Sequence, residues 1–352
     1  MVVVDATYAS HTLPLLRSVC AELGLRLVEG DDSDDDATTV FWHSLSNAPY
    51  KARRAALRDG QWVSKLWGAR RASTKAAVAD ACGSAAGHPA TWVLPRDAPR
   101  LAAEASSGWL IVKPADGAKG TGIWLARDAA EVLENMDDKP RVCQRYVADP
   151  LLDGAGRKFD LRLYVLLMEA GGDRRAYLCR DGLVRSCARP YAPPDASNRD
   201  ERTIHLCNTA VNSNACKRGL AEFAADGGDL HRPTLAACAA EAAAALWASL
   251  DGERRRRPAR PGKNAFQLFG FDVLLDAAGA AHLLEINCNP SMRVDDDPQA
   301  PFSPDRRTVS PLDERVKRRV LGGALSLVLG LGADHAAWWD ELPPAPRASF
   351  FE

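Results

Sequence analysis

The chain has 352 residues with a formal net charge of -1 at pH 7, and 46% of its residues are hydrophobic. Nothing in this balance demands a nucleic acid or membrane partner, and we expect neither. The hydrophobic content is enough for a folded core. The nine cysteines are scattered without a CxxC pair, no signal peptide opens the chain and no long apolar run suggests a membrane span, so we predict a cytoplasmic protein with reduced thiols.

The N-terminal part of the chain has the pattern of a small α/β lobe. Short apolar runs predict strands at 1–5, 25–28 and 40–43, and helical periodicity covers 11–23. The acidic run 31–36 predicts a solvated loop. Residues 50–81, which include Lys75, are basic and predict helix.

A glycine-rich turn follows the predicted strand 109–114. Lys113 ends this strand, and Gly117, Gly120 and Gly122 come next. Glycines let backbone N–H groups approach phosphate oxygens, and a lysine adds a positive charge. The turn lacks the GK[ST] and GxGxxG patterns, so a hairpin turn beside a chance lysine is the alternative.

A second candidate contact with a nucleotide lies at the end of the next predicted strand, 141–146. This strand contains Gln144 and is followed by Val147. Exposed backbone at such a position can pair with the edge of an adenine base. The loop 147–157 then leads to the segment with the most regular charge pattern.

Residues 158–163 alternate strictly between charged and apolar. Lys158, Asp160 and Arg162 therefore share one face of a strand. Turns at 171–173 and 181–182 predict an antiparallel meander with strands at 158–169, 174–180 and 183–188, so that Arg185 extends the charged face. A cleft with several fixed cations suits phosphoryl transfer, whereas the alternative is an amphipathic strand with solvated charges.

The segment after this meander carries two further polar candidates. A histidine placed like His205 is usually structural, whereas Asn208 is placed to contact phosphate or metal-bound water. Farther on, we predict helices at 234–250 and 315–331, a basic loop from 254 to 257, and a poorly ordered tail after residue 342. The basic loop has two interpretations, a site for an acidic peptide and a solvated loop.

The hairpin from 266 to 287 carries the strongest signal. If its two strands pair symmetrically about residues 278 and 279, Asp272 lies opposite Glu285, and Asn287 shares the face of Glu285. Two carboxylates and an amide oxygen in an apolar surround are hard oxygen ligands that suit Mg²⁺. The sequence therefore predicts a magnesium site and a nucleotide enzyme.

Taken in order, these motifs resemble the tubulin–tyrosine ligase family of ATP-grasp ligases. The matching stretches include WLIVKPADGAKGTGI, QRYVADPLLDGAGRKFDLRLYVLL, IHLCNTAVN and FQLFGFDVLLD…HLLEINCNPSM, within residues 60–330. The resemblance implies an ATP-grasp α/β fold, in which two antiparallel sheet lobes hold ATP beside a small N-terminal α/β lobe. The implied divisions are 1–60, 61–145, 146–335 and a tail, 336–352.

The resemblance also implies the roles of individual residues. Asp272, Glu285 and Asn287 fall at Mg²⁺-binding positions, Arg162 where an acceptor carboxylate is held, and Arg185 where the γ-phosphate is held. The implied ATP contacts are Lys75, Lys113, Gly120, Gly122, Gln144, Val147, Lys158, Asp160, Arg185 and Asn208.

The implied reaction forms an acylphosphate on a protein carboxylate, which the amine of a free amino acid then converts to an amide. The expected partners are tubulin or another acidic protein tail and free glutamate, tyrosine or glycine, with glutamate favoured. The expected setting is the cytoplasm, including the cytoskeleton and the cilium. The alternatives are a decayed, non-catalytic microtubule-binding module and an ATP-grasp ligase with a non-tubulin or small-molecule acceptor.

The sequence also departs from the family pattern in three places. The N-terminal lobe before residue 60 is short, the match around Lys75 is loose, and Cys207 stands where family members often have a small polar residue. The short lobe leaves contacts with a protein substrate undefined.

Overall fold

Two β-sheets and the helices packed against them make up the structure. It is a computed structural model that describes residues 2–30, 36–116, 120–209, 211–212, 216–228, 230–256, 263–295 and 309–343. The larger sheet is mixed and has ten strands, and the smaller sheet has four strands that are all antiparallel. The predicted ATP-grasp α/β fold class is confirmed, with the difference that parallel N-terminal strands join the larger sheet.

The N-terminal segment supplies the parallel strands. These are β1 (Val3–Tyr8), β2 (Arg26–Val28), β3 (Val40–His43) and β4 (Trp62–Val63), with helices α1 (Leu13–Glu22), α2 (Ala48–Ala56), α3 (Ala69–Ala72) and α4 (Lys75–Cys82). The predicted helix over 50–81 is wrong between α2 and α3, because β4 pairs there with β3. β4 also pairs with strand β12 (Ala265–Leu275) from the C-terminal half of the chain. This pairing joins the N-terminal strands and the C-terminal strands in one sheet.

The smaller sheet is formed in the middle of the chain. Its strands are β5 (Thr91–Leu94), β6 (Leu110–Pro114), β7 (Trp124–Ala126) and β8 (Arg141–Arg145), in the order β5-β8-β6-β7. Helices α5 (Ala98–Glu104) and α6 (Ala129–Glu134) contribute Leu101 and Val132 to its buried core, together with Trp92.

The C-terminal half completes the larger sheet. Its strands are β9 (Phe159–Ala170), β10 (Asp173–Ser186), β11 (Lys217–Gly219), β12, β13 (Ala281–Asn287) and β14 (Trp339–Glu341). The order is β11-β10-β9-β12-β4-β3-β1-β2, with β13 also on β12 and β14 also on β10. The helices are α7 (Arg202–His205), α8 (Leu220–Ala225), α9 (Arg232–Arg256), α10 (Pro311–Leu329) and α11 (Ala333–Ala336).

The predicted meander is wrong at its second turn. Asp181 and Gly182 do not end a strand but form an irregularity within β10, which pairs with β9 on both sides of it. The Asp181 carboxylate accepts hydrogen bonds from Gly182 N at 2.9 Å and from Arg319 on α10 at 2.8 Å. Arg185 is therefore on the neighbouring strand, directly opposite Asp160.

The larger sheet, which contains β9, separates the two main cores. Phe159, Leu161 and Leu163 pack with α9 on one face of the sheet, whereas Leu166 and Met168 pack with α1 and α10 on the other. Side chains alternate along a strand, so the charged residues at 158, 160 and 162 lie on the same face as Leu166 and Met168. The predicted alternation of charged and apolar residues is confirmed. On this face, the charged positions come first along the chain, and the apolar residues that pack in the core follow them.

Helix α9 extends the predicted helix 234–250 at both ends. Arg254–Arg256 form its last turn rather than a loop, and Arg254 pairs with Glu169 at 2.8 Å. Within the described parts of the chain, α9 is also the one helix long and apolar enough to cross a membrane, and half of that stretch is buried in the protein. Arg257, most of the acidic run (31–35) and the tail from 344 lie outside the described residues.

Candidate functional site

A cavity of about 430 Å³ is lined by residues from both sheets. Thirteen of the fourteen predicted site residues line it: Lys75, Lys113, Gly120, Gln144, Val147, Lys158, Asp160, Arg162, Arg185, Asn208, Asp272, Glu285 and Asn287. Gly122 is not among the lining residues and lies against Pro114. The fold thus brings together residues that are more than two hundred positions apart in the sequence.

Two arginines and two aspartates form a buried cluster at this cavity. Arg162 Nε donates to Asp272 Oδ1 at 2.5 Å, and Arg185 Nε donates to Asp160 Oδ1 at 2.6 Å. Arg185 also bridges to Asp272, with 3.0 Å between Nη2 and Oδ2. Burial opposes ionisation of Asp272, but the two arginines outweigh it and lower the pKa of its carboxyl to about 2.

The register of the hairpin places Glu285 beside this cluster. Asp272 pairs with Glu285 across β12 and β13, as predicted, and an irregularity between Asp272 and Val273 shifts the pairing nearer the turn. Glu285 remains about one-third exposed, and its Oε1 lies 3.6 Å from Lys75 Nζ. Asn287 Oδ1 accepts a hydrogen bond from Asn289 N at 3.0 Å.

The smaller sheet contributes a buried lysine. Lys113 Nζ donates to Gln144 Oε1 at 2.8 Å, and Gln144 Nε2 donates to Thr91 Oγ1 at 3.0 Å. Burial, only partly offset by the charge of Glu285, lowers the pKa of Lys113 to about 8. Lys113 thus carries a charge that burial destabilises and that an anion in the cavity would stabilise.

The turn after Lys113 closes one side of the cavity. Gly120 has a φ of +73°, and Arg202 Nη2 donates to its carbonyl oxygen at 2.7 Å. A Cβ atom at Gly120 would lie 3.2 Å from Val211 and 3.1 Å from Arg202, so this position favours glycine. Gly117 lies outside the described residues.

The polar end of the cavity was not predicted from the sequence. Five charged residues line it there: Lys217, Arg293, Asp295, Asp313 and Lys317. Lys317 Nζ lies 2.7 Å from Asp313 Oδ1, Lys217 pairs with the same carboxylate, and Arg293 Nη2 lies 2.8 Å from Asp295 Oδ2. The signal available was Asp313 and Lys317 at i and i+4 near the start of a helix, a spacing that also occurs on ordinary surface helices.

Comparison with known proteins agrees with the architecture. Residues 70–306, more than half of the chain, match the sequence profile of the "Tubulin-tyrosine ligase family". The human protein "Tubulin polyglutamylase TTLL11" is 30% identical over 272 residues, which cover 68% of this chain and 38% of that protein.

Two further relatives are similar to this chain at comparable identity, and again only part of their length is covered. "Tubulin polyglutamylase ttll-11" from Caenorhabditis elegans is 28% identical over 360 residues, with 89% of this chain and 50% of that protein covered. "Tubulin polyglutamylase ttll6" from Danio rerio is 30% identical over 278 residues, with 70% and 32% covered. The chain therefore spans half or less of the length of these relatives.

Proposed function

The chain belongs to the tubulin–tyrosine ligase family, and we propose that it is an ATP-dependent ligase that joins a free amino acid to a carboxylate of a protein tail. The observation that carries this proposal is the cavity between the sheets. It places Lys113 and Lys158 near the acidic side chains of Asp272 and Glu285. Such a combination of fixed cations and carboxylates suits the binding and transfer of a phosphoryl group.

In this proposal, residues on two sides of the cavity bind ATP. Lys113 and Lys158 supply charge for phosphate oxygens. Gln144 lies within strand β8 and Val147 follows its end, and in this proposal the Gln144 side chain and the Val147 backbone contact the adenine base. Gly120 lets the turn approach the phosphates, and Asn208 contributes an amide from the opposite loop. Arg185, held by Asp160, is oriented to stabilise charge on the transferred phosphoryl group.

The donor set also fits Mg²⁺. Asp272, Glu285 and Asn287 supply hard oxygen atoms from one hairpin, and Mg²⁺ commonly uses one or two carboxylates with substrate phosphates and water. Among the described residues, no three or more His, Cys, Asp and Glu side chains form a group that could hold a metal ion by themselves. Bound there, Mg²⁺ would neutralise charge on the phosphates.

The proposed reaction has two steps. An oxygen of the acceptor carboxylate attacks the γ-phosphorus while the bond to ADP breaks, which leaves an acylphosphate. The amine of the amino acid then attacks the acyl carbon, phosphate leaves, and the amine loses a proton as the amide bond forms. Arg162 lies on the same face as Asp160 and donates to Asp272, and in this proposal its guanidinium also holds the acceptor carboxylate.

We propose glutamate as the amino acid and tubulin as the acceptor. The three relatives named above carry the name tubulin polyglutamylase. At the polar end of the cavity, Lys217, Arg293 and Lys317 outnumber their partners Asp295 and Asp313, and this excess of positive charge supports an anionic substrate there. A tubulin acceptor would place the protein in the cytoplasm at the cytoskeleton, including the cilium.

Mass spectrometry of tubulin tests this function. Purified tubulin is incubated with the protein, ATP, Mg²⁺ and an equal mixture of isotopically labelled glutamate, tyrosine and glycine, with a matched reaction without ATP. A labelled, ATP-dependent mass increment of one glutamate on a tubulin tail is expected. No increment despite ATP binding would contradict the tubulin acceptor, and a protein that fails to bind ATP would contradict the ligase itself.

The pH dependence of ATP affinity should report on Lys113. Its pKa is about 8, and only the protonated form attracts phosphate. We therefore expect the affinity for MgATP to fall by about tenfold as the pH rises from 7 to 9, measured by calorimetric titration. Lys113→Arg, whose side chain stays charged, should lose this pH dependence. Parallel pH curves for the two proteins would contradict the assignment.

A further inference from the structure

A chain of hydrogen bonds runs from the cavity into the loop that precedes Asn208. Lys158 Nζ lies 2.9 Å from Tyr146 Oη, and Tyr146 Oη lies 3.0 Å from His205 Nδ1. His205 Nε2 lies 3.1 Å from the carbonyl oxygen of Asn198. Lys158, Tyr146 and His205 are each at least nine-tenths buried. Nothing in the proposed reaction uses Tyr146 or His205.

The two end groups of this network, the Asn198 carbonyl and the Lys158 ammonium, determine which atom donates in each of its hydrogen bonds. The Asn198 carbonyl only accepts, so the proton of His205 is on Nε2 and Nδ1 is left as an acceptor. The Tyr146 hydroxyl therefore donates to Nδ1. A lysine ammonium only donates, so the same hydroxyl oxygen accepts from Lys158.

The charge state of His205 agrees with this arrangement. Burial and the positive charge of Lys158 lower the pKa of His205, which favours the neutral ring that the hydrogen bonds require. A second proton on Nδ1 would remove the acceptor for Tyr146 and place a second cation close to Lys158. The edge of Tyr191 packs against the His205 ring, with 6.2 Å between centroids, and its hydroxyl donates to Ala148 O at 2.7 Å.

We propose that Tyr146 and His205 are positioning residues that hold the Lys158 ammonium for the phosphates of ATP. This inference rests on the proposed function. A lysine side chain is flexible and its ammonium is a point charge, so it needs support to stay in one place. Tyr146 supplies that support twice, through its hydroxyl and through its ring, whose centroid lies 4.0 Å from Nζ.

The network also links three segments that wall the cavity. Tyr146 follows strand β8, Lys158 immediately precedes strand β9, and His205 ends helix α7 in the loop that continues to Asn208. Loss of the His205 acceptor would remove the contact that ties the Tyr146 hydroxyl to helix α7. The effect would reach the nucleotide through Lys158, without any contact between His205 and the phosphates.

The test measures the dissociation constant for MgATP in the full chain. Tyr146→Phe removes the hydroxyl and keeps the ring, and His205→Phe removes the acceptor. Tyr146→Phe is expected to weaken MgATP binding by about tenfold, the usual effect of losing a hydrogen bond to a charged group. His205→Phe removes a hydrogen bond between two neutral groups and should weaken binding by about fivefold. His205→Asn, whose amide oxygen can accept from the hydroxyl, should retain most of the wild-type affinity.

A second set of variants separates positioning from a general structural role. In a Lys158→Ala background, His205→Phe should cause no further loss of MgATP affinity, because it acts through the missing ammonium. An equal loss in both backgrounds would overturn the proposal, and so would wild-type affinity in folded Tyr146→Phe. If the wild-type protein binds no MgATP, the proposed function fails, and this inference fails with it.

Discussion

Replacement of Glu285 by glutamine is expected to reduce ligase turnover by at least about 100-fold while the protein remains folded. Glu285 lies opposite Asp272 in the hairpin and lines the cavity. The change keeps the size of the side chain but removes one of the two carboxylates available to Mg²⁺. Several kcal/mol of transition-state stabilisation are commonly attributed to such a metal, which sets the size of the effect.

The folded state should tolerate this change. Glu285 is about one-third exposed and its ion pair with Lys75 is long, at 3.6 Å, so we expect less than about 1 kcal/mol of lost stability. Turnover is measured at saturating ATP over a range of Mg²⁺ concentrations, with thermal unfolding as the check on folding. Glu22→Gln is the matched control, since Glu22 also pairs at a partly exposed site but lies on α1, outside the cavity. A folded Glu285→Gln protein with normal turnover would contradict the metal assignment.

The hairpin shows what local sequence can predict. Its two strands are long and are joined by a short turn with Gly279, which has a φ of +80°. Pairing outward from such a turn fixes which residues lie opposite, so the partnership of Asp272 and Glu285 could be predicted. The shift between Asp272 and Val273 could not be predicted from this pattern: it leaves Leu284 of β13 as an extra residue, while β12 pairs with β9 without a shift there.

Strand β10 shows where local sequence misleads. Asp-Gly at 181 and 182 is a turn signal, but here the Asp181 side chain is held by Arg319, more than one hundred residues away. Likewise, β4 has two residues, too few to give any periodicity, and only its partners β3 and β12 define it as a strand. In both segments, contacts with distant parts of the chain determine the structure, and the local sequence does not.

The same limit applies to the site. The side of the cavity that we propose for ATP is built from motifs with dense charge and glycine, which stand out in the sequence when they are taken together. The polar end is built from side chains on separate elements, such as Lys217 on β11 and Lys317 on α10, that converge on Asp313. Neither lysine stands out in the sequence, because their common partner becomes visible only in the folded chain.

The largest loss of stability is expected from Asp272→Asn. Asp272 is 5% exposed and pairs with both Arg162 and Arg185. The amide would leave the Arg162 guanidinium, on a side chain that is only 14% exposed, without a carboxylate partner among the described residues, at a cost of about 3–5 kcal/mol. Denaturant unfolding at pH 7 measures this loss. Asp251→Asn, which breaks the exposed pair with Arg174, should cost about 1 kcal/mol or less.

The stability difference between the wild-type protein and Asp272→Asn should depend on pH, and the pKa of the Asp272 carboxyl determines how. The two arginines hold that pKa at about 2, below the value of about 3.9 for the unfolded chain. The stabilisation by ionised Asp272 is therefore fully present above the unfolded pKa and is lost as the pH falls through about 2. The stability gap between wild type and Asp272→Asn should be constant near neutral pH and should narrow in acid.

A double substitution identifies the cause of the loss. If Asp272→Asn destabilises because Arg162 keeps an uncompensated charge, adding Arg162→Met should recover about 1–3 kcal/mol, although a second polar group has been removed. Arg185 would still be paired with Asp160 at 2.6 Å in that protein, so the rest of the cluster remains neutralised. The double variant should stay inactive, because its recovered stability restores neither the carboxylate that we propose for Mg²⁺ nor the guanidinium that we propose for the acceptor. Further destabilisation by Arg162→Met would instead mean that Arg162 stabilises the fold through packing rather than through its ion pair.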